Sequence, residues 1–348
     1  MTPSTLKDLL NIDLPIIQAP MAGVQGSALA IAVSNTGALG SLPCAMLDLD
    51  GIRRELAAIR DRTRKPFNVN FFCHAAPAID ETREAAWRRA LAPYFEEFGA
   101  DPAAIVSATR RPFDDAAAGI LAEFRPPVVS FHFGLPSPDL VARARAWGAK
   151  ILSSATTIDE ARWLEAHGVD VVIAQGVEAG GHRGMFLTDD ISTQVTTMAL
   201  VPQMVKAVRV PVIAAGGIAD ASGVRAALSL GASGVQVGTS YLLCPEATTS
   251  QLHRAALSSD ASRHTALTNV FTGRPARGIV NRLMRELGPI SALPPAFPLA
   301  ASAITPLRSA AESRGVTDFT PMWAGQNTSG CREISAADVT GALAGGLF

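Results

Sequence analysis

Residues 150–175 read KILSSATTIDEARWLEAHGVDVVIAQ. Lys150–Ala155 (KILSSA) and Val169–Gln175 (VDVVIAQ) are short apolar runs, suited to strands buried on both faces of a parallel sheet. Between them, Asp159–His167 (DEARWLEAH) has helical spacing, with Thr157 as N-cap and Gly168 as stop. Strand, helix and parallel strand make one βαβ unit, and the unit recurs on either side. The further runs are Leu14–Ala19 (LPIIQA), Gly37–Leu42 (GALGSL), Phe67–Phe72 (FNVNFF), Val128–Phe133 (VVSFHF), Val210–Ala215 (VPVIAA) and Gly234–Leu242 (GVQVGTSYL), eight in all. The helical stretches Ser137–Trp147 and Ala221–Leu230 also stop at glycines, Gly148 and Gly231. Eightfold alternation predicts an α/β fold, a (β/α)8 TIM barrel; a doubly wound open sheet is the other arrangement of such units.

The chain has 348 residues, more than the about 250 a bare barrel uses. Two connections hold the surplus. About 55 residues separate the third run from the fourth, and about a hundred follow the eighth. The insert carries Trp87, Leu91, Phe95 and Phe98 at helical spacing, with Pro93 expected to kink that helix. The tail has a loop-like, proline-rich middle, LPPAFP at 293–298, with helix on either side. The expected division is a barrel from 1–75, 116–250 and 320–348. A smaller, mainly helical, discontinuous substrate-binding domain from 76–115 and 251–319 would cover the barrel mouth.

Apolar residues make up 48% of the chain and charged residues 18%, and 30 Lys+Arg against 31 Asp+Glu leave a net charge of −1. Disorder needs low hydrophobicity and high net charge, so it is excluded. A nucleic-acid partner is not expected, because phosphate neutralisation calls for a basic patch. No run approaches 18 uninterrupted apolar residues, so no membrane span is expected. The start, MTPSTLKDLLNIDLP, lacks the pattern of a signal peptide. Cys44, Cys73, Cys244 and Cys331 lie far apart and read as reduced thiols of a cytoplasmic protein. The histidines and cysteines show no metal-ligand spacing, so no metal is expected.

Barrel chemistry sits at the C-terminal ends of the strands. Those ends carry Gln18-Ala19-Pro20-Met21-Ala22-Gly23, Asn68 and Asn70, His132-Phe133-Gly134, Gln175 through Gly184, Ala215-Gly216-Gly217-Ile218 and Gln236-Val237-Gly238-Thr239. Glycine turns expose backbone N–H groups and let a phosphate come close. Gly216-Gly217 and Gly238-Thr239 follow the seventh and eighth runs, where barrels commonly bind phosphate, and Gly180-Gly181 adds a third amide edge. No Walker lysine pattern is present, so a nucleotide triphosphate is not expected. Asn70 and Gln175 offer donors and acceptors suited to a flavin's pyrimidine edge; satisfying loop backbone is their alternative use.

Of the six histidines, His132 stands out. It ends an apolar strand in which Val128, Ser130 and His132 share one face and Val129, Phe131 and Phe133 the other. An imidazole there suits a general base or acid, with a structural hydrogen bond as the alternative. His182, between glycine and Arg183, suits a phosphate or substrate contact, or loop ordering. His167 reads as a helix-end residue, and His253 and His264 as solvated tail residues.

These residues resemble the nitronate monooxygenase family, formerly the 2-nitropropane dioxygenases, and its class I members in particular. QAPMAG (18–23) is similar to the family's first motif, SFHFG (130–134) to its histidine motif, and QGVEAGGHRG (175–184) to its glycine motif. AAGGI and GVRAALSLGASGVQVGT, within 214–239, resemble its phosphate motif. TGRPARGIVN (272–281) and WAGQ (323–326) extend the resemblance into the tail. The glycine motif is shared with FMN-dependent enoyl reductases and quinone reductases; SFHFG is the discriminator.

The resemblance implies non-covalent FMN. Met21, Ala22 and Gly23 would flank the isoalloxazine, with Pro20 also on the cofactor. Asn70 and Gln175 would bond its polar edge. Gly180, Gly181, Gly217, Gly238 and Thr239 would hold the phosphate beside Gly216, Gln236 and Val237, and Gln326 would reach in from the tail. His132 would be the catalytic base and, with His182, contact the substrate. The implied reaction is oxidation of alkyl nitronates, such as propionate 3-nitronate, by O2 to a carbonyl compound and nitrite through a flavin semiquinone. The rival readings are an NAD(P)H-dependent FMN reductase of quinones or enoyl thioesters, and a barrel that only stores or senses FMN. The expected state is monomer or homodimer. The pocket tyrosines of some class I members have few counterparts here, since the chain has only Tyr94 and Tyr241.

Overall fold

The computed structural model describes residues 5–105, 110–345 and 347. Parts of the expected domain ranges (1–4, 106–109, 346 and 348), and the first residues of the N-terminal reading, lie outside them. The strands in chain order are β1 (Ile16–Gln18), β2 (Gly40–Pro43), β3 (Phe67–Phe72), β4 (Val128–His132), β5 (Lys150–Ala155), β6 (Val171–Gln175), β7 (Gly181–His182), β8 (Val212–Ala215), β9 (Gly234–Val237), β10 (Thr265–Thr268) and β11 (Ala276–Ile279). Eight form one parallel sheet in the order β1-β9-β8-β6-β5-β4-β3-β2. A parallel bridge between Ile17 and Leu39, with Gln18 N donating to Leu39 O at 2.9 Å, joins its two edges into a barrel. The open-sheet alternative is thereby excluded.

Each expected run holds a strand: β3 and β5 match their runs, β2 starts later and ends one residue further at Pro43, and the others are trimmed. The last is trimmed most: β9 stops at Val237, and Thr239–Tyr241 is a 3₁₀ turn whose Tyr241 is buried against the barrel helices. The residues that looked like more strand are apolar for packing instead. Helices run over Pro138–Ala146, Ile158–Ala166 and Ala221–Ser229. Just beyond them, Gly148, Gly168 and Gly231 adopt φ of 88°, 83° and 97°, the left-handed stop that glycine allows. Thr157 caps the second helix, completed by Glu160 in a capping box.

Two apolar layers hold the barrel. Inside, Ile17, Leu39, Val128, Leu152, Val171 and Ile213 pack with Leu6 and Leu10 of the short helix Leu6–Leu10. Leu6 lies against Gly234, the first residue of β9, so this helix closes the N-terminal end. Outside, Val129, Phe131, Ile151, Val172 and Ala214 meet the surrounding helices. Alternate residues of β4 therefore face opposite layers.

A second apolar core joins the insert to the tail. Trp87, Leu91, Phe95 and Phe98, from the helix Glu81–Phe98, pack with Phe271, Leu283, Ile304, Leu307 and Phe319. Pro93 sits within that helix without ending it. Beside this core lies a three-stranded antiparallel sheet, β10-β11-β7. Sequence reading expected helix and loop there. The sheet tethers the tail to the glycine-rich segment after β6, because β11 pairs with β7 through Ala276–His182 and Arg277–Gly181. Among the described residues no helix is long and apolar enough to cross a membrane, and no group of three or more His, Cys, Asp or Glu could hold a metal. The four cysteines are free thiols.

Candidate active site

The strand ends converge on a cavity of about 390 Å3, within the roughly 300–1,000 Å3 of small-molecule sites. Pro20, Met21, Ala22 and Gly23 line it from the first loop. A buried amide pair orders that loop: Gln18 Nε2 donates to Gln25 Oε1 at 2.6 Å, and Gln25 Nε2 donates to Ser41 O at 2.6 Å. Met21 N also donates to Gln25 Oε1, at 3.1 Å. Sequence reading passed over Gln25, because its partners lie on two different strands.

Ser130 and His132 reach the cavity from β4. Ser130 Oγ accepts from Asn68 Nδ2 and Asn70 Nδ2, both at 2.9 Å, so the β3 and β4 ends are cross-braced. Phe133 and Gly134 then take left-handed φ of 69° and 84°, which ends the strand directly after the histidine. His132 Nε2 lies 3.1 Å from His182 O. A carbonyl only accepts, so Nε2 carries the proton and Nδ1 keeps its lone pair. Burial lowers the His132 pKa to about 4; the bond to His182 O opposes that, and Arg274 and Arg183 reinforce it. The ring is neutral at neutral pH. Gly184 stands against it, where a Cβ would come within 2.9 Å of His132 Cε1 and 3.0 Å of Ser154 Cβ.

The His182 carbonyl also accepts from Gln175 Nε2 at 3.0 Å. Gly184 N donates to Gln175 Oε1 at 2.7 Å. Both ends of the Gln175 amide thus engage the loop after β6, leaving one further donor and one lone pair toward the cavity it lines. The His182 ring is held by Thr272 Oγ1 at 3.0 Å and packs on Phe297 and Trp323. Burial, with Arg110 and other cations nearby, holds its pKa well below the usual histidine range. Arg183 is fully buried and donates to Gln175 O and Gly176 O, both at 2.6 Å.

Three glycine turns meet on the far side. Gly216 and Gly217 adopt φ of 119° and 73°, and Gly181 adopts 73°. A Cβ on Gly216 would lie 2.8 Å from Thr197 Oγ1, so that turn has no room for a side chain. The N–H groups of Gly217, Gly238 and Thr239 take no acceptor from the described residues. The tail clamps the turns together. Gly325 N donates to Thr239 Oγ1 at 3.0 Å, Gln326 N to Glu178 O at 2.9 Å, and Asn327 Nδ2 to Gly217 O at 2.9 Å. Glu178, whose carboxylate lines the cavity, accepts from Thr197 N and Thr197 Oγ1, both at 2.9 Å.

Most expected residues line this one cavity: Pro20 through Gly23, Asn70, His132, Gln175, Gly180, Gly181, His182, Gly216, Gly217 and Gln236 through Thr239. Gln326 differs. Its side chain is exposed and only its backbone joins the clamp; its neighbours Gly325 and Asn327 line the cavity instead. His253, read as solvated, is 4% exposed and lines the cavity, with its pKa lowered to about 4 by burial. Its helix, Gln251–Leu257, turns that face toward Trp323, a contact from distant sequence. His264 is exposed, and His167, also exposed, stacks on Trp163. Arg110, Arg308 and Glu312 were missed outright, and Trp323 was named only within WAGQ with no role given; all four are on the cavity wall. Arg110 comes from the insert and Arg308 and Glu312 from the tail, and none of the three lies in a stretch that carried a motif.

The family model described as nitronate monooxygenase matches residues 3–345. A nitronate monooxygenase of Paraburkholderia phytofirmans is 44% identical over 342 residues, covering 97% of this chain and 93% of the relative. A nitronate monooxygenase of Pseudomonas aeruginosa is 45% identical over 334 residues, covering 95% of each. The crystal structure of a nitroalkane oxidase from Streptomyces ansochromogenes superposes with a TM-score of 0.88 at 39% identity, covering 98% of this chain and 97% of that one. FabK from Thermotoga maritima superposes with a TM-score of 0.70 at 27% identity, covering 98% and 95%.

Proposed function

The chain belongs to the nitronate monooxygenase family of flavin-dependent oxidoreductases, and from that premise we propose that it oxidises alkyl nitronates, propionate 3-nitronate among them, with O2 and FMN. The products are a carbonyl compound and nitrite. The observation that carries this reading is the His132 imidazole, whose proton is pinned on Nε2 by the His182 carbonyl at 3.1 Å on the wall of a glycine-cradled cavity.

The residues present fit FMN. Gly217, Gly238 and Thr239 offer N–H groups with no acceptor among the described residues, as a phosphate needs, and Gly216 lies too close to Thr197 for a side chain, which keeps the turn tight. Asn70, braced by Ser130, and the remaining capacity of Gln175 suit a polar ring edge, with Met21, Ala22 and Gly23 beside the ring. When bound, FMN supplies the one-electron chemistry between nitronate and O2. His132 binds the nitro group of the substrate. With a neutral nitroalkane its Nδ1 accepts the α-proton, since Nε2 is already committed. His182 orients His132 through its carbonyl and presents its own ring to the substrate. In this reading the insert and tail, which share a core, form the substrate-binding domain over a cytoplasmic enzyme's barrel mouth.

The test is oxygen consumption and nitrite release by the yellow, FMN-loaded protein given a preformed alkyl nitronate. A colourless protein that takes up no FMN overturns the reading. The likeness to FabK keeps a reductase in view. Rapid flavin bleaching on anaerobic mixing with NADH, without nitronate turnover, would establish that activity instead.

A further inference from the structure

Arg110 comes from the insert and lines the cavity half-buried. Its guanidinium stands 5.5 Å from the centre of the Phe297 ring. That ring packs in turn on His182 at 5.3 Å and on His74 at 4.8 Å. Arg110 is therefore about one aromatic ring away from the imidazole pair at the strand ends.

A cation taken out of water calls for an anionic partner. Among the described residues the cavity wall carries two carboxylates, Glu178 and Glu312, and both are engaged elsewhere. Glu178 is held by Thr197. Glu312 accepts from Thr320 Oγ1 at 2.8 Å and faces Arg308 Nε at 3.7 Å. No acid stabilises Arg110 among the described residues. Burial and the neighbouring Arg308 lower its pKa to about 10, which still leaves it charged at neutral pH. Arg274 makes the contrast. It lies over the Phe133 ring at 4.1 Å and donates to the Met185 carbonyl.

We propose that Arg110 is the specificity-determining residue of this cavity: its planar fork binds a carboxylate at the far end of a nitronate whose nitro group lies at His132. The inference rests on the nitronate reading above. It selects, among nitronates, those carrying a second anionic group a few bonds away. A guanidinium suits this task because it meets a carboxylate through two parallel N–H bonds. With Glu178 and Glu312 both engaged, no carboxylate among the described wall residues competes with the substrate for it.

The experiment compares propionate 3-nitronate with propyl 1-nitronate, which lacks the carboxylate, in the wild type, Arg110→Gln and Arg110→Lys, each loaded with FMN. Losing one partner of a desolvated charge pair should lower kcat/KM for propionate 3-nitronate about 50-fold in Arg110→Gln, mainly through KM. Propyl 1-nitronate should lose only a few-fold, and Arg110→Lys should recover part of the loss. Equal losses on both substrates, or no loss on either, overturn the assignment. If the wild type consumes neither, the nitronate reading fails, and binding decides Arg110 separately. Calorimetry with succinate and butyrate, two unreactive mimics that match the two nitronates atom for atom, should show succinate binding more tightly to the wild type. That preference should vanish in Arg110→Gln; its absence in the wild type, or its survival in the variant, refutes the role.

Discussion

Replacing His132 with Asn separates proton transfer from the rest of catalysis, because only neutral nitroalkanes need a base. A positioned base contributes about 10²–10⁴ to a proton-transfer step. This site argues for the lower part of that range. Burial takes the His132 pKa from 6.5 to about 4, so the ring binds a proton roughly two and a half powers of ten less tightly. With a Brønsted slope of about one half, that weakening gives up about 10- to 20-fold of the base's advantage. The expected loss in kcat/KM for a neutral nitroalkane is therefore about 10²-fold. For the same compound supplied as its preformed nitronate, the loss should be only a few-fold, from weaker binding of the nitro group. The assay is initial-rate oxygen consumption with each form, on protein whose flavin content has been matched by absorbance. Equal losses for both forms would refute the base assignment and leave His132 as a binding residue only. An undiminished rate on the neutral form would show that another group takes the proton.

Gly184→Ala would put a methyl group within 2.9 Å of His132 Cε1. Such overpacking costs about 1–3 kcal/mol, so turnover should drop about tenfold as the ring moves while FMN stays bound; kinetics and the flavin spectrum together check this. Gly216→Ala attacks the other end, with a Cβ 2.8 Å from Thr197 Oγ1 at a φ of 119°. It should weaken FMN binding at least about tenfold, read from flavin fluorescence after dialysis, and tight retention would refute the cradle. Burial lowers the pKa of His74, His132, His182 and His253 alike. The unfolded chain binds protons at these sites below its ordinary histidine value of about 6.5, while the folded chain resists them. Their stabilisation is complete above that value and is lost as pH falls toward 4. The thermal midpoint should drop across that window, less steeply in His253→Asn; an unchanged slope would mean that His253 takes its proton without unfolding.

Periodicity exposed what was local. Apolar runs and glycine stops are written within ten or so residues, so the strands and their helices could be placed before any contact was known. The shared face of Ser130 and His132 follows from strand alternation alone, and so does the convergence of Met21, Gly181, Gly217 and Gly238 once the barrel is granted. The two-residue strand Gly181–His182 was not legible, because two residues carry no period. Gln175 was read as suited either to a cofactor's polar edge or to loop backbone; its amide engages His182 and Gly184 and keeps one donor and one lone pair, a division that only the fold sets. Gln326 and His253 exchanged expected places for a related reason. One is exposed and the other buried through packing of the tail, which no local pattern encodes.

By itself, then, the sequence determined the barrel and the residues its strand ends bring to one cavity, His132 among them. These follow from backbone geometry, which repeats at 2.0 and 3.6 residues and depends on nearest neighbours in the chain. The tertiary structure alone decided the state of that histidine and the charge of the chamber around it. His182 O directs the His132 proton to Nε2 from 50 residues away. Among the described residues Arg110 has no carboxylate partner, since Glu312, about two hundred residues further along, faces Arg308 and Glu178 is held by Thr197. Protonation and charge depend on desolvation and on distances between groups far apart in sequence, and only the folded chain sets those.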